Sequence, residues 1–166
     1  IGAVNTILER DGRLIGDNTD APGFIGDLRR VMGEDRVAVS RQVALVLGAG
    51  GAARAVVYAL LSTGWQVIVA ARRFEQAEVL ASSFQDGSPI RATLPAGRIF
   101  PIPLQNITIQ SLRSAIQNLN SEDSDPQPLL SLIVNASSAG MVPDVGTNPW
   151  PQDVPFPGGA FVYDLV

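Results

Sequence analysis

The chain has 166 residues, 46% of them apolar and 17% charged, with a formal net charge of −4. This composition is typical of a soluble globular domain, and the acidic balance without a basic stripe argues against nucleic-acid binding. No apolar run approaches the ~20 residues that span a bilayer, and no secretory signal precedes the first predicted strand. Cysteine, histidine and lysine are all absent, which excludes disulfides and cysteine-based zinc sites and is compatible with a cytoplasmic location.

The N-terminal part predicts a β-hairpin followed by a helix. Residues 3–15 form two short strands, with Asp11-Gly12 as the tight turn between them. Asp20 then stands where a helix N-cap belongs, and Pro22 is tolerated in the first helical turn. Apolar residues recur at helical spacing at Phe24, Ile25, Leu28, Val31 and Met32. Residues 33–41 are predicted to be a polar connection.

From residue 43 onward, strands and helices alternate. The predicted strands are 43–47, 66–70, a third within 98–102, 129–134 and 160–165, and the predicted helices are 51–62, 74–84 and 111–119. Residues 120–128 read as an acidic loop and 143–157 as an irregular proline-rich stretch. Such alternation implies parallel strands with right-handed crossovers. We therefore expect an α/β fold: a doubly wound, mostly parallel sheet with helices on both faces, preceded by a short β-hairpin.

The strand at 43–47 leads into a glycine turn and a helix. Gly48 allows the tight turn, Gly50 lets a pyrophosphate approach the backbone, and Ala53 lets the helix pack close to its strand. The free N–H groups at the start of that helix would hold the anion. The pattern alone is also compatible with an ordinary glycine-rich turn between a strand and a helix.

Two arginines follow the next strand, about 20 residues beyond the glycine turn. An NAD-binding unit usually has an acidic residue there to accept from the ribose 2′-hydroxyl, whereas this chain has Ala71-Arg72-Arg73. A guanidinium can bind a 2′-phosphate through charge-assisted hydrogen bonds. The sequence therefore favours NADP over NAD, the alternative being two solvated surface arginines.

Two further polar segments could carry function. Residues 135–141 follow a predicted strand at its carboxyl end, where doubly wound sheets bind ligands, although an Asn/Ser/Gly turn chosen for its conformation is at least as compatible. Asn5 and Asp20 bracket the hairpin and bring amide and carboxylate groups together, a good set for a polyhydroxylated ligand. Asp20 could equally be a plain helix N-cap, and Asn5 could simply satisfy a turn.

Five motifs together resemble the shikimate dehydrogenase family in order and spacing. They are Gly2-Ala3-Val4-Asn5-Thr6, Gly16-Asp17-Asn18-Thr19-Asp20, Gly48-Ala49-Gly50-Gly51-Ala52 with Arg54, Asn135-Ala136-Ser137-Ser138 with Gly140-Met141, and Val162-Tyr163-Asp164-Leu165. The resemblance covers nearly the whole chain and implies a Rossmann-like sheet. It also implies the NADP-dependent, reversible reduction of 3-dehydroshikimate to shikimate, in the chorismate pathway to aromatic amino acids.

The resemblance also implies roles for individual residues. Asn5 and Asp20 would bind the shikimate hydroxyls, and Asp20 would be half of a catalytic Lys–Asp pair. Gly48, Ala49, Gly50, Gly51 and Ala52 would hold the pyrophosphate, Arg72 and Arg73 the 2′-phosphate, and Ser137 and Leu165 would line the cofactor path. The family usually has Asn-Arg-Thr where this chain has Ala71-Arg72-Arg73, so Arg72 matches while an amide and a hydroxyl are lost.

The family's catalytic lysine precedes the Gly-Ala-Val-Asn-Thr motif, and this chain contains no lysine. We therefore expect a fragment that binds cofactor and is nearly inert alone: residues 1–19 as the end of the substrate-binding domain, and residues 20–166 as the NADP-binding domain. Two alternatives stay open, namely an NAD-dependent quinate/shikimate dehydrogenase and a non-catalytic dinucleotide-binding module. The expected partner is a small-molecule substrate, neither nucleic acid nor a membrane, and the sequence does not indicate an oligomeric state or a metal.

Overall fold

The computed structural model describes residues 1–38, 42–85, 87–95, 97–119, 130–143 and 145–166. Its strands are β1 (Thr6–Arg10), β2 (Arg13–Asp17), β3 (Val43–Leu47), β4 (Gln66–Ala71), β5 (Ile99–Pro103), β6 (Leu130–Asn135) and β7 (Phe161–Asp164). Its helices are α1 (Asp20–Met32), α2 (Glu34–Ala38), α3 (Gly51–Ser62), α4 (Phe74–Ser82) and α5 (Ile109–Leu119), with short 3₁₀ turns at Arg91–Thr93 and Leu104–Asn106. The predicted acidic loop at 120–128 lies outside the described residues.

The predicted hairpin is confirmed as an antiparallel pair of β1 and β2. Asp11 and Gly12 both have positive φ angles, 53° and 71°, as a two-residue turn with the twist of its flanking strands requires. All of β2 and most of β1 are exposed, so the hairpin stands apart from the core of the larger sheet.

Helix α1 begins one residue earlier than its predicted cap implies. Thr19 occupies the N-cap position, and Asp20 is the first helical residue, so the N-cap interpretation of Asp20 was wrong. The side chain of Asn18 supplies the capping hydrogen bond instead, because its Oδ1 accepts from the backbone N–H of Ala21 at 3.1 Å. The carboxylate of Asp20 is thereby left for another partner.

The larger sheet contains five parallel strands in the order β5-β4-β3-β6-β7. The chain winds outward from β3 through β4 to β5, then returns to the other side of β3 with β6 and β7. The strand order therefore reverses between β3 and β6. In open α/β sheets this reversal leaves a crevice at the carboxyl ends of the two strands, where ligands bind.

Helices cover both faces of the sheet, as predicted. On one face α1, α3 and α4 pack against Ala44, Val46, Val67 and Val69, and on the other α5 packs against Val43, Leu45 and Ile68. Strands β3 and β4 are buried along their whole length, which is why they read as continuous apolar runs. The predicted fold class is confirmed.

Helix α3 has its predicted bounds, α4 ends two residues earlier than predicted and α5 begins two residues earlier, while α2 was not predicted. The predicted polar connection contains helix α2, whose five residues carry no apolar period, and residues 39–41 of that connection lie outside the described part. The α2 turn is held by Trp65, whose Nε1 donates to the backbone oxygen of Val37 at 2.9 Å. Among the described residues no helix has the length and apolarity needed to cross a membrane.

Candidate functional site

A cleft of about 450 Å³ opens where the strand order reverses. Its floor is formed by the carboxyl ends of β3, β4 and β6 and by the segments that follow them. The described lining residues are Leu47, Gly48, Ala49, Gly50, Ala70, Ala71, Arg72, Arg73, Gln76, Leu104, Ala136, Ser137, Ser138, Ala139, Thr147, Asn148 and Pro149. The cleft thus lies where the topology places a ligand.

The glycine turn after β3 forms the wall of the cleft nearest the sheet. Gly48 has a φ of +119°, and a Cβ on it would stand 2.6 Å from the backbone oxygen of Ala136. Only glycine therefore lets the turn lie directly against the segment after β6. At Gly50 and Gly51 a Cβ would meet no described atom within 4 Å, so the backbone there is open to a ligand.

Helix α3 begins directly after the glycine turn that lines the cleft. Gly50 is the N-cap, and within the described part of the chain no side chain caps the helix and no acidic residue lies in its first turn. The first N–H groups of a helix have no partner inside it, and the helix dipole makes that end positive. The turn and the helix start therefore fit an anionic group such as a pyrophosphate.

Arg72 and Arg73 carry the only charges among the described residues that line the cleft. Both side chains are exposed at the end of β4, and Arg73 is the N-cap of α4. The whole chain carries −4, whereas the cleft wall carries two positive charges and the positive end of a helix. This local reversal of charge favours a ligand with more than one negative group.

The segment after β6 is fixed by the buried side chain of Asn135. Its Nδ2 donates to Oδ1 of Asp164 at 2.9 Å and to the backbone oxygen of Ala139 at 3.2 Å. Its Oδ1 accepts from Ser137 twice, from the backbone N–H at 3.1 Å and from Oγ at 2.7 Å. Because every polar atom of the amide is used, the loop that contains Ser137 is held in one conformation against β7.

A second polar group lies at the junction of the hairpin and α1. Asn5 Nδ2 donates to Oδ1 of Asp20 at 2.6 Å and to Oγ1 of Thr19 at 3.1 Å. The backbone N–H of Thr19 donates back to Oδ1 of Asn5 at 2.9 Å. Asn5, Thr19 and Asp20 are all exposed, so the structure brings the two predicted substrate residues together on an open surface.

The structure places the predicted cofactor residues in three positions. Gly48, Ala49, Gly50, Arg72, Arg73 and Ser137 line the cleft. Gly51 and Ala52 form the first turn of α3. Leu165 donates its backbone N–H to the oxygen of Asn135 at 3.1 Å, beside the cleft rather than in its wall.

Several lining residues were not singled out from the sequence. Gln76 lies on α4, three residues after Arg73. It belongs to no sequence motif, so nothing in the sequence marked it as a cleft residue. Thr147, Asn148 and Pro149 belong to the proline-rich stretch, which has no period to indicate where it folds back. Thr147 reaches the loop after β6, because its Oγ1 accepts from the backbone N–H of Gly140 at 3.1 Å.

Comparison with known proteins identifies clear relatives, although no protein-family model matches the chain. The NADP(+)-dependent shikimate dehydrogenase of Salinibacter ruber is 39% identical over 169 aligned residues, which cover 100% of this chain and 50% of the relative. The chain thus spans about half the length of the curated relatives it matches.

Two solved structures also superpose on nearly the whole chain. The shikimate 5-dehydrogenase of Thermus thermophilus, in complex with NADP(H) and shikimate, superposes with a TM-score of 0.65 at 35% identity, over 99% of this chain and 48% of that one. The quinate dehydrogenase of Corynebacterium glutamicum, in complex with NAD, gives a TM-score of 0.68 at 24% identity, over 99% of this chain and 49% of that one. At that identity the second likeness shows the shared fold alone.

Proposed function

Since the chain is homologous over its whole length to NADP(+)-dependent shikimate dehydrogenases, we propose that it forms the cofactor-binding part of such an enzyme. The observation that carries this proposal is the cleft itself, an uncapped helix N-terminus and two arginines facing an opening in an acidic chain. Residues 20–166 are proposed as the NADP-binding domain and residues 1–19 as the end of the substrate-binding domain. A cytoplasmic location stays a prediction.

The cleft residues fit a dinucleotide with a 2′-phosphate. The open backbone at Gly50 and Gly51 and the first N–H groups of α3 bind the pyrophosphate. The guanidiniums of Arg72 and Arg73 bind the 2′-phosphate of NADP. NAD has only a hydroxyl at that position and lacks this anionic group. Ser137 and the backbone near Leu165 border the path toward the nicotinamide.

The substrate side is formed by Asn5 and Asp20. When bound, NADPH supplies the hydride that reduces the ring carbonyl of 3-dehydroshikimate. Asn5 orients the carboxylate of Asp20 through the 2.6 Å hydrogen bond, and both side chains bind substrate hydroxyls. Asp20 positions the proton-transfer partner. In the shikimate dehydrogenase family, which the chain resembles, that partner is a lysine, and these 166 residues contain no lysine. The proposed substrate is therefore turned over only with the rest of such an enzyme present.

Calorimetric titration of the chain with NADP⁺ and, separately, with NAD⁺ tests the cofactor proposal. Each charge-assisted hydrogen bond contributes about 1.5–3 kcal/mol, so losing one lowers affinity by about tenfold to 100-fold. We expect NADP⁺ to bind tighter than NAD⁺, and the double substitution R72A/R73A to remove that preference while leaving NAD⁺ binding nearly unchanged.

The matched control is R10A/R13A. It also removes two arginines, but at the hairpin turn rather than at the cleft. Equal loss of NADP⁺ affinity in both double variants would mean that net charge, not a 2′-phosphate site, controls binding. Equal affinity of the parent for NAD⁺ and NADP⁺ would favour the NAD-dependent quinate-type alternative. In a full-length protein that includes these residues, an Asp20→Ala substitution that leaves the protein's function intact would favour the non-catalytic module, since a dehydrogenase would lose turnover.

A further inference from the structure

The end of strand β7 contacts both helix α1 and Asn135, which fixes the loop beside the cleft. Successive side chains of a strand point to opposite faces, so Tyr163 and Asp164 face different parts of the molecule. Tyr163 donates its hydroxyl to Oδ2 of Asp27 on α1 at 2.7 Å. Asp164 accepts from Asn135, at the loop that borders the cleft. Two neighbouring residues thus join α1 to the cleft wall.

The contact between Tyr163 and α1 has both an apolar and a polar part. The ring of Phe24 meets the Tyr163 ring edge-on, with centroids 5.2 Å apart and an interplanar angle of 80°. The other oxygen of Asp27 accepts from Nε and Nη2 of Arg30 at 3.0 and 2.7 Å. The Tyr163 hydrogen bond, followed by that of Arg30, lowers the pKa of Asp27, so a carboxylate and a phenol persist at neutral pH.

Asp20 lies on the face of α1 that Tyr163 holds. Residues 20, 24 and 27 are spaced by four and three positions, which places their side chains on one face of a helix. Phe24 and Asp27 both contact Tyr163, whereas Asp20, two turns earlier, contacts Asn5 of the hairpin. The helix is therefore fixed at its start by the hairpin and at its middle by β7.

The opposite side of β7 is tied just as firmly to the cleft. Asp164 Oδ1 accepts from Asn135 Nδ2 and from the backbone N–H of Val166, at 2.9 and 3.0 Å. Asn135 in turn holds Ser137. A shift of α1 relative to β7 would therefore be a shift of Asp20 relative to the cofactor loop.

We infer that Tyr163 is a positioning residue, which through Asp27 sets the location of the Asp20 carboxylate relative to the cofactor cleft. This inference rests on the proposed function, since it assigns Asp20 to the substrate. Proton transfer and hydride transfer depend on distance and direction, and a displacement of about 1 Å can lower a rate by about 100-fold. The Tyr163–Asp27 hydrogen bond thus affects turnover without touching substrate or cofactor.

The test is a Tyr163→Phe variant of a full-length enzyme that includes these residues. We expect kcat to fall by about tenfold, with the KM for shikimate and the Kd for NADP⁺ changed by less than about twofold, because the ground-state contacts remain. Tyr58→Phe is the matched control. It removes the same hydroxyl from a half-buried tyrosine on α3 whose hydroxyl has no hydrogen-bond partner among the described residues. It should leave kcat unchanged.

Two further readouts separate positioning from other roles. Asp27→Asn keeps an oxygen that accepts from Tyr163, so it should retain most of the activity that Asp27→Ala loses. The double variant Y163F/D27A should be no slower than D27A alone, because both substitutions remove the same Tyr163–Asp27 hydrogen bond. The ratio of parent to Y163F kcat should stay constant between about pH 6 and 9, since burial and the Asp27 hydrogen bond raise the pKa of Tyr163 and keep it protonated.

The possible outcomes distinguish failure of the proposed function from failure of the inference about Tyr163. A parent enzyme that neither binds NADP⁺ nor oxidises shikimate overturns the proposed function, and the inference with it. An active parent with a Y163F variant of equal kcat, or with additive effects of Y163F and D27A, overturns the inference alone. A ratio that changes with pH would instead assign Tyr163 to proton transfer.

Discussion

Two asparagine–aspartate pairs show the same local geometry in opposite surroundings. Asn5 donates to Asp20 at 2.6 Å and accepts from the backbone N–H of Thr19. Asn135 donates to Asp164 at 2.9 Å and accepts from the backbone N–H of Ser137. The first asparagine is exposed at the hairpin, while the second is only 6% exposed at the end of the parallel sheet.

Burial gives the two pairs different roles. A buried amide that loses its partners costs the full desolvation of the orphaned groups, so Asn135 stabilises the fold and the cleft wall together. An exposed amide exchanges its partners for water at little cost, so the Asn5 pair contributes little to folding and stays accessible to a polar ligand. The Asn135 pair is therefore structural, whereas the exposed Asn5 pair is available for the substrate-binding role that we propose.

The largest effect on stability should come from Gly48→Ala, which disrupts the end of the parallel sheet beside Asn135. Its Cβ would stand 2.6 Å from the oxygen of Ala136, at a φ of +119° that alanine rarely adopts. We expect a loss of about 3 kcal/mol or more in the free energy of unfolding, because overpacking and backbone strain add. Denaturant unfolding of the chain measures this loss.

Gly50→Ala is the matched control for that variant. Gly50 has a φ of −85°, and its Cβ would enter open space, so stability should change by less than about 1 kcal/mol. The same Cβ would occupy the space proposed for the pyrophosphate, and NADP⁺ affinity should fall by at least about tenfold. Full NADP⁺ affinity in Gly50→Ala would place the phosphates elsewhere.

The next largest effect is expected for Asn135→Ala. Removing the amide leaves the Ser137 backbone N–H and the Ala139 oxygen without their partner in a part-buried loop. We expect a loss of about 1–3 kcal/mol in the free energy of unfolding, together with weaker NADP⁺ binding. Unfolding and calorimetry on the same sample check both. A stable variant with normal binding would show that the loop holds its shape without Asn135.

The sheet side of the molecule was largely predictable from sequence, and the hairpin side was predictable only in part. Buried parallel strands and amphipathic helices have a period, so β3 and α3 were placed to the residue. Whether Asp20 or Asn18 caps α1 depends on side-chain rotamers, which no period encodes. Thr147 enters the cleft through a tertiary contact with Gly140, which no local pattern encodes, and Gln76 follows Arg73 by three residues on α4 without belonging to a motif.

Asn5→Ala tests whether the exposed pair at the hairpin acts in substrate binding rather than in folding. Since Asn5, Thr19 and Asp20 are exposed, we expect a change of less than about 0.5 kcal/mol in the free energy of unfolding. In a full-length enzyme the same variant should raise the KM for shikimate by about tenfold, because a hydrogen bond to substrate and the orientation of Asp20 are both lost. A large loss of stability with an unchanged KM would make the Asn5 pair structural, like that of Asn135.

The smallest expected effect concerns the link between the two regions. The Tyr163 hydrogen bond is the largest cause that lowers the pKa of Asp27, and Arg30 adds to it. A carboxyl whose pKa is lower in the folded state stabilises the fold above its unfolded pKa, and this contribution disappears as the pH falls through the lowered folded value. Carbon-detected NMR titration should therefore find the Asp27 pKa higher in Tyr163→Phe than in the parent, and unchanged in Tyr58→Phe. An unchanged value in both variants would mean that Arg30 alone lowers the pKa of Asp27, and that the phenol does not hold α1 through this carboxylate.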